Sequence, residues 1–549
     1  MLPSRRDALN TLISGPAAAG LYRRIELLRT KLPTTFGSAA WATLMDLHRG
    51  GLLERAAGRR AGPIIGCVTP AEVGGRDIRY LFANGDTSLI TIAPTGAGKS
   101  SGQAITNLLA NLRSAYVLDF KNELWEQTAA WRAANGHDII RFAPFHRNSA
   151  HWNPIDYIND GCGNAPNDMR RQENTRFLAN LLLTPNPRTT EPYFDNAAKS
   201  FLETTMLFVA TEPLNTGFVR ERTMAEVYRL IARQEPLAFK ETLSAMAKSH
   251  EEIVQQGACT MLHMEPAREQ LASVKTVLIE HLKIWSYRRV QEVTARSDFS
   301  FKSFRRRGPD SRPMTFYYST PFENLPEYRS LVRVMTGVCM SQLRESWSKE
   351  DDDLPAIDMH LDEFPQLYRM EPIEDALLYM RSYGVRFWFF CQSVSDLQRH
   401  YPDTWRGFIA NCGTKCFFGI QDNETAKLVS EMVGAATIRN YSYQAGSNES
   451  ETMTTGNSSS SGWGSGGYSS NSGSFSSRSL TLGSSLNVTQ AYVGRPLIMP
   501  DELLRQPFGS MVAIASNMPA IRAQLRFWYE DPELRRRGMI STPPIGPQE

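Results

Sequence analysis

Short apolar runs rich in β-branched and aromatic residues recur along the chain, each followed by turn or helix signals. They are SLITIAP (88–94), SAYVLDF (114–120), DIIRFAP (138–144), MTFYYST (314–320), IDMHLDEF (357–364), RFWFFCQ (386–392), TKCFFGI (414–420) and MVAIAS (511–516). Their hydrophobicity is continuous rather than alternating. That predicts strands buried on both faces, as in a parallel sheet covered by helices. Helix-length amphipathic segments such as DALLYMRSYG lie between most of them. The pattern is that of a doubly wound α/β domain.

Residues 166–293 break this rhythm. Strand signals give way to helical runs such as FDNAAKSFLETTMLFVA and ASVKTVLIEHLKIWSYRRVQEV. In the latter, Val274, Val277, Leu278, Leu282 and Trp285 recur near helical spacing, with His281 on the edge of the stripe. The segment reads as an all-α domain inserted into the α/β domain. Residues 446–487 are dominated by Ser, Gly and Asn, a composition that buries too little surface to offset ordering entropy. They are expected to form a flexible loop, with Trp463, Tyr468 and Phe475 giving it the alternative of a partner-binding loop. The expected organisation is a basic arm (1–36), the first part of a nucleotide-binding domain (37–165), the all-α domain (166–293), the second part of the nucleotide-binding domain (294–530) and a disordered tail (531–549).

Composition adds bounds. The chain has 549 residues, 42% hydrophobic and 21% charged, ordinary for a globular protein with a large core. Its net charge is only +3, so bulk charge does not argue for nucleic acid. Residues 1–60 nevertheless carry ten Arg/Lys against four acids, which suits an anionic lipid surface, a phosphate backbone or simply a solvated amphipathic helix. The seven cysteines show no C-x-x-C, and Cys412 and Cys416 have no second Cys/His pair nearby, so buried thiols are expected rather than a metal site. No run of about 18 apolar residues is present, and the chain as given is expected to be soluble.

The candidate chemistry centres on TIAPTGAGKSSG, residues 91–102. Ala93, Gly98, Lys99 and Ser100 fit [AG]-x-x-x-x-G-K-[ST], with a strand-like run before and a helical run after, the setting a phosphate-binding loop requires. Gly96 and Gly98 let the backbone wrap so that its amides face phosphate, and the helix N-terminus adds its dipole. The nucleotide cradle is therefore Thr95, Gly96, Ala97, Gly98, Lys99, Ser100 and Ser101. Lys99 reaches the β/γ-phosphates of ATP, and the Ser100 hydroxyl ligates Mg2+. IDMHLDEF supplies the second site: Asp362 to hold magnesium and Glu363 to polarise the attacking water. His360 is expected to be a hydrogen-bonded core or edge histidine. Gln392, ending FWFFCQ, is placed to sense the γ-phosphate.

Taken with YVLDFKNELWEQTAAWR, WNPID, LDEFPQL and FFGIQDNETAKLVSEMVG, this loop makes the chain resemble the coupling-protein ATPases of type IV secretion systems, the TraG-like conjugative DNA-transfer family. The likeness runs from about residue 37 to 530 and extends to GSAAWATLMD upstream and GRPLIMPDELLRQP downstream. It implies a RecA-like P-loop domain interrupted by an all-α domain. It also implies a homo-hexameric ring and ATP hydrolysis coupled to delivery of a DNA–relaxase complex to an inner-membrane secretion channel. The alternative activity is sorting of effector proteins without DNA translocation. The arginine that a neighbouring subunit supplies in such rings corresponds to Arg381. The resemblance implies DNA held without strong sequence preference; the charge run Arg305, Arg306 and Arg307 offers candidate contacts, with a solvated loop as the alternative. It places the protein at the cytoplasmic face of the bacterial inner membrane, peripherally or through a partner, since the usual N-terminal transmembrane helices are missing. The family's D-x-K-G-E stands here as Asp119-Phe120-Lys121-Asn122-Glu123, with an Asn where a left-handed turn is needed.

Overall fold

The computed structural model describes residues 34–53, 62–73, 77–83, 85–183, 192–214, 218–264, 267–306, 312–348, 356–444, 453–464, 467–481 and 487–540. The expected basic arm lies outside them up to residue 33. All eight apolar runs become strands of one eleven-stranded sheet. In chain order the strands are β1 Ile64–Val68, β2 Arg79–Phe82, β3 Leu89–Ile92, β4 Ser114–Asp119, β5 Asp138–Phe142, β6 Met314–Ser319, β7 Ile357–Leu361, β8 Val385–Cys391, β9 Thr414–Phe418, β10 Ala435–Gln444, β11 Met453–Gly464, β12 Gly467–Thr481, β13 Asn487–Pro496, β14 Ser510–Ala515 and β15 Ile521–Gln524.

The large sheet runs β2-β1-β15-β14-β9-β3-β8-β7-β4-β6-β5. From β9 to β5 every pairing is parallel. Every residue of β3, β4, β6, β7 and β8 is buried, as continuous apolar runs require when helices cover both faces. β14, β15, β1 and β2 extend the sheet in antiparallel sense. The C-terminal ends of the parallel strands therefore share one edge. The start of β14 and the end of β15 reach the same edge, because Met511 pairs with Phe418 and Ser510 with Gln524.

The chain forms two compact units. One comprises the described parts of Met1–Ala42 and Asn423–Arg505, the other those of Thr43–Asp422 and Gln506–Glu549. The second unit holds the large sheet and, among the described residues of 166–293, only helical elements: Met169–Leu182, Pro192–Thr211, Met224–Ile231, Pro236–Met246, Glu252–Met264, Arg268–Leu282, Lys283–Ser286 and Arg288–Val293. Val274, Leu278, Leu282 and Trp285 are fully buried. A buried arginine, Arg333, joins this helical region to the sheet. Its Nε donates to the Leu181 carbonyl (3.3 Å), and its Nη1 donates to the carbonyls of Leu367 (3.1 Å) and Arg369. Burial pulls its pKa down to about 10.

Three expectations are corrected. The stretch 446–487 is not a loop throughout: β11 and β12 pair antiparallel from Met453↔Arg478 to Gly464↔Gly467, in a separate sheet ordered β10-β13-β12-β11. Ladder hydrogen bonds come from the backbone, which a Ser/Gly-rich sequence supplies as well as any other. Residues 423–505 of the expected second half belong to the first compact unit rather than continuing the nucleotide-binding domain. The expected tail contains a helix, Pro532–Gly538. The Asp531 carboxylate accepts from the amides of Glu533 and Leu534, proline occupies the first turn, and Arg537 donates to the Leu109 carbonyl (2.9 Å). Residues 541–549 lie outside the described residues. No helix of the described residues is long and apolar enough to cross a membrane.

Candidate active site

β3 ends at Ile92 and delivers the loop to the C-terminal edge of the sheet. Ala93 is almost fully buried, and its amide donates to the Cys391 carbonyl (3.0 Å), which ties the loop's first residue to β8. A small residue is all this position accepts. Gly96 (φ +80°) and Gly98 (φ +98°) take the left-handed conformations the wrap demands. A Cβ on Gly98 would stand 2.7 Å from the Phe527 ring.

Ser100–Ala104 form a π-turn that runs into the helix Ile105–Ala110. Polar side chains fix this helix. Gln103 accepts from the Thr91 hydroxyl (2.7 Å) and donates to the Ile65 carbonyl (2.9 Å), and Asn107 both donates to and accepts from the Ile64 backbone (2.7 Å each). Thr95 and Gly96 are exposed, Ser100 and Ser101 half-buried, and Ala97 and Lys99 buried. The Lys99 ammonium donates to the Ala93 (2.6 Å) and Pro94 (3.3 Å) carbonyls. Burial draws its pKa below the ordinary lysine range, opposed by the charges of Glu363 and Asp362.

Asp362 and Glu363 follow β7, which lies next to β8, itself the neighbour of β3. Both are buried. Burial, reinforced by Glu363, pushes the Asp362 carboxyl up to about 7, against the pull of Lys99 and Lys121. Glu363 sits at φ +47°, a left-handed conformation that a non-glycine residue holds only when its surroundings enforce it. Gln392 Nε2 donates to Glu363 Oε2 (2.8 Å), so the residue ending β8 orients this carboxylate. Lys99, Asp362, Glu363 and Gln392 therefore gather at one edge.

Arg381 does not join them. It is exposed on the short helix Met380–Tyr383, ahead of β8, and so lies at the opposite edge of the sheet, about 20 Å away at ~3.3 Å per residue. Arg305, a candidate DNA contact, is corrected: it is buried, with its guanidinium 4.9 Å from the Trp347 ring centre and its Nη2 donating to the Tyr383 carbonyl. Arg306 is exposed, and Arg307 lies outside the described residues.

His360 is a core residue against Trp388 (ring centres 5.7 Å apart) and Phe390 (6.5 Å), and burial lowers its pKa to about 4. Its Nδ1 has no hydrogen-bond partner among the described residues. Asp358 pairs with Arg386 (2.8 Å), which explains an arginine at the second position of the buried strand β8.

Two further residues contribute: Asp119, to which the sequence reading gave no role, and Phe527, which it did not single out. Asp119, ending β4, accepts from the Trp125 amide (2.7 Å), and burial raises its carboxyl to about 6; its charge acts on Asp362. Phe527 packs on the glycine loop from the far end of the chain. Asp119 opens the Asp119–Glu123 motif, whereas Phe527 carries no local motif. Asn122 has φ +62°, the left-handed turn anticipated there, and its Oδ1 accepts from Arg141 Nη2 (2.8 Å).

A glycine loop between a central parallel strand and a helix, faced by an acidic pair one strand beyond its neighbour, defines a P-loop protein of RecA-like fold. Within that class the chain belongs to the type IV secretory system conjugative DNA transfer family, whose model matches residues 40–465 and 464–542. It is 26% identical over 547 residues to the conjugal transfer protein TraG of Escherichia coli, covering 93% of this chain and 79% of that protein. It is 29% identical over 411 residues to VirD4 of Rhizobium radiobacter, covering 73% of this chain and 55% of that one. Among solved structures it is similar to the plasmid coupling protein TrwB in complex with the non-hydrolysable ATP analogue ADPNP (TM-score 0.56, 15% identity, 91% of this chain and 95% of that one), which has also been solved with GDPNP.

Proposed function

We propose that the protein is an ATP-hydrolysing coupling protein of a type IV secretion or conjugation system, recruiting a DNA–relaxase complex and driving DNA towards the secretion channel. The observation that carries the ATPase reading is the convergence of Lys99, Asp362, Glu363 and the Gln392–Glu363 hydrogen bond on one edge of the sheet. Membership of the DNA-transfer family carries the rest.

The donor set fits a magnesium–nucleotide. A hydroxyl (Ser100) and a carboxyl (Asp362) followed by a second buried one (Glu363) are hard oxygen ligands of the kind magnesium takes. When bound, magnesium neutralises charge on the phosphate oxygens. The amides of residues 95–101 cradle the phosphates. Lys99 exchanges its two loop carbonyls for phosphate oxygens. Glu363, held by Gln392, orients a water and takes its proton. Gln392 thereby links the state of the phosphate to the end of β8. Arg381, exposed at the far edge, is placed to serve the site of the next subunit in a homo-hexamer. DNA is held through its phosphates with little sequence preference. The protein works at the inner membrane's cytoplasmic face.

In a steady-state phosphate-release assay of the full chain, turnover should rise with DNA and the rise should shrink with salt. Lys99→Ala and Glu363→Gln should each remove turnover by 100-fold or more, roughly the scale of losing a key charge-stabilising or proton-accepting group. Hydrolysis that stays flat across DNA concentrations at low salt would count against the DNA-motor reading.

A further inference from the structure

A second feature shares the edge where the phosphates are bound. Phe508, just before β14, and Phe527 and Tyr529, just after β15, form a parallel stack. Phe508 and Phe527 have ring centres 5.5 Å apart at 6°, and Phe527 and Tyr529 5.4 Å apart at 5°. The middle ring is buried against Gly98, and Leu525 packs on Gly102. The Trp528 amide donates to the Ser101 carbonyl (3.2 Å), fixing this segment to the residue just after Ser100. The two outer rings are left to solvent: Phe508 is 72% exposed and Tyr529 46%. Large aromatic side chains normally hide most of their surface. A stack with a buried centre and two open ends, anchored to the phosphate loop at two points, is a built platform.

Its side of the loop matters. The acidic pair follows β7 and Gln392 follows β8, so the γ-phosphate end of a nucleotide lies on that side of β3. β14 and β15 lie on the other side, beyond β9. A polyphosphate with its terminal group facing Glu363 sends its other end, the ribose and base, towards Phe508 and Tyr529.

Resting on the ATP-site reading above, we propose that the Phe508–Phe527–Tyr529 stack is the nucleobase platform of this site, receiving a purine by stacking. Because stacking uses the π-face that every base has, it holds adenine and guanine alike.

The test compares ligands with and without a base. Calorimetric titrations of the full chain use Mg·ATP, Mg·GTP and Mg·tripolyphosphate, for the wild type, the double variant Phe508→Ala/Tyr529→Ala and the conservative pair Phe508→Tyr/Tyr529→Phe. Removing the outer rings should weaken ATP and GTP about tenfold, the scale of one lost base–aromatic stack. Tripolyphosphate affinity should be unchanged, and the conservative pair should bind like wild type. Unchanged nucleotide affinity in the alanine variant overturns the platform. So does an equal loss for tripolyphosphate, which means only the loop was disturbed. A lowered oligomer mass at unchanged affinity assigns the rings to a neighbouring copy instead. A wild type that binds tripolyphosphate as tightly as ATP rejects the platform but keeps the phosphate site. One that binds neither rejects the nucleotide reading itself.

Discussion

At Asn122 a single backbone angle decides which residues are tolerated. The left-handed φ of +62° costs an ordinary L-residue about 1–2 kcal/mol, less for Asn and almost nothing for Gly. Asn122→Gly should therefore lose only the Arg141 contact, with no backbone cost. Asn122→Ala loses the same contact and should be less stable than Asn122→Gly by about 1 kcal/mol. Denaturant unfolding of the two variants side by side checks this; equal stabilities would remove the backbone argument. Residues of this kind were legible in the sequence because their signal is local. Asn122 stands inside a short motif, Asp362 and Glu363 end an apolar run, and Lys99 follows two glycines. The same motif marks Asp119, though nothing local shows that its charge acts on Asp362. Phe527 was not legible, because it meets Gly98 only through long-range packing.

Between elements, the ion pair joining β7 to β8 shows how an interrupted strand pattern is reconciled with burial. Asp358 makes β7 look half-polar, yet the whole strand is buried. The carboxylate faces Arg386 (2.8 Å) and Arg113 (3.5 Å) and accepts from Asn111 (3.2 Å). Burial alone would raise its pKa; the two guanidinium groups outweigh it and hold the group at about 2. A depressed carboxylate stabilises the fold fully above its unfolded pKa, and that stability is lost as pH falls from about 4 towards 2. Asp358→Asn should cost about 3–5 kcal/mol at neutral pH, because buried Arg386 loses the charge opposite it. It should also flatten the acid limb of the stability curve. Melting curves at neutral pH and at about pH 3 test both effects, and an unchanged acid limb would rule out Asp358 as its source.

The same elements show where pattern reading stops. Buried parallel strands announce themselves as apolar runs. β1, β2 and β15 did not: all three are antiparallel, β2 and β15 have only four residues each, and neither is buried throughout. The capped helix Pro532–Gly538 was missed although Asp531-Pro532 is a start signal, because the charged run after it looked like tail.

For the whole molecule, the parallel sheet keeps the proposed catalytic groups at two opposite edges. Lys99, Asp362, Glu363 and Gln392 emerge at one edge and Arg381 at the other. If Arg381 serves a neighbour, Lys99→Ala and Arg381→Ala chains should each be inactive alone. Mixed in equal amounts they should regain activity at about a quarter of interfaces, those pairing an intact Lys99 with an intact Arg381 in a head-to-tail ring. A mixture as silent as its parts would mean that Arg381 has no role across subunits.

Arg333 links this edge of the sheet to the helical region. Its guanidinium donates to carbonyls from the segment that follows Glu363 and from the end of the helix Met169–Leu182. A buried cation does not let go of such oxygens without replacement. A displacement of Leu367 or Arg369 would therefore have to be shared with the end of that helix or leave Arg333 short of acceptors.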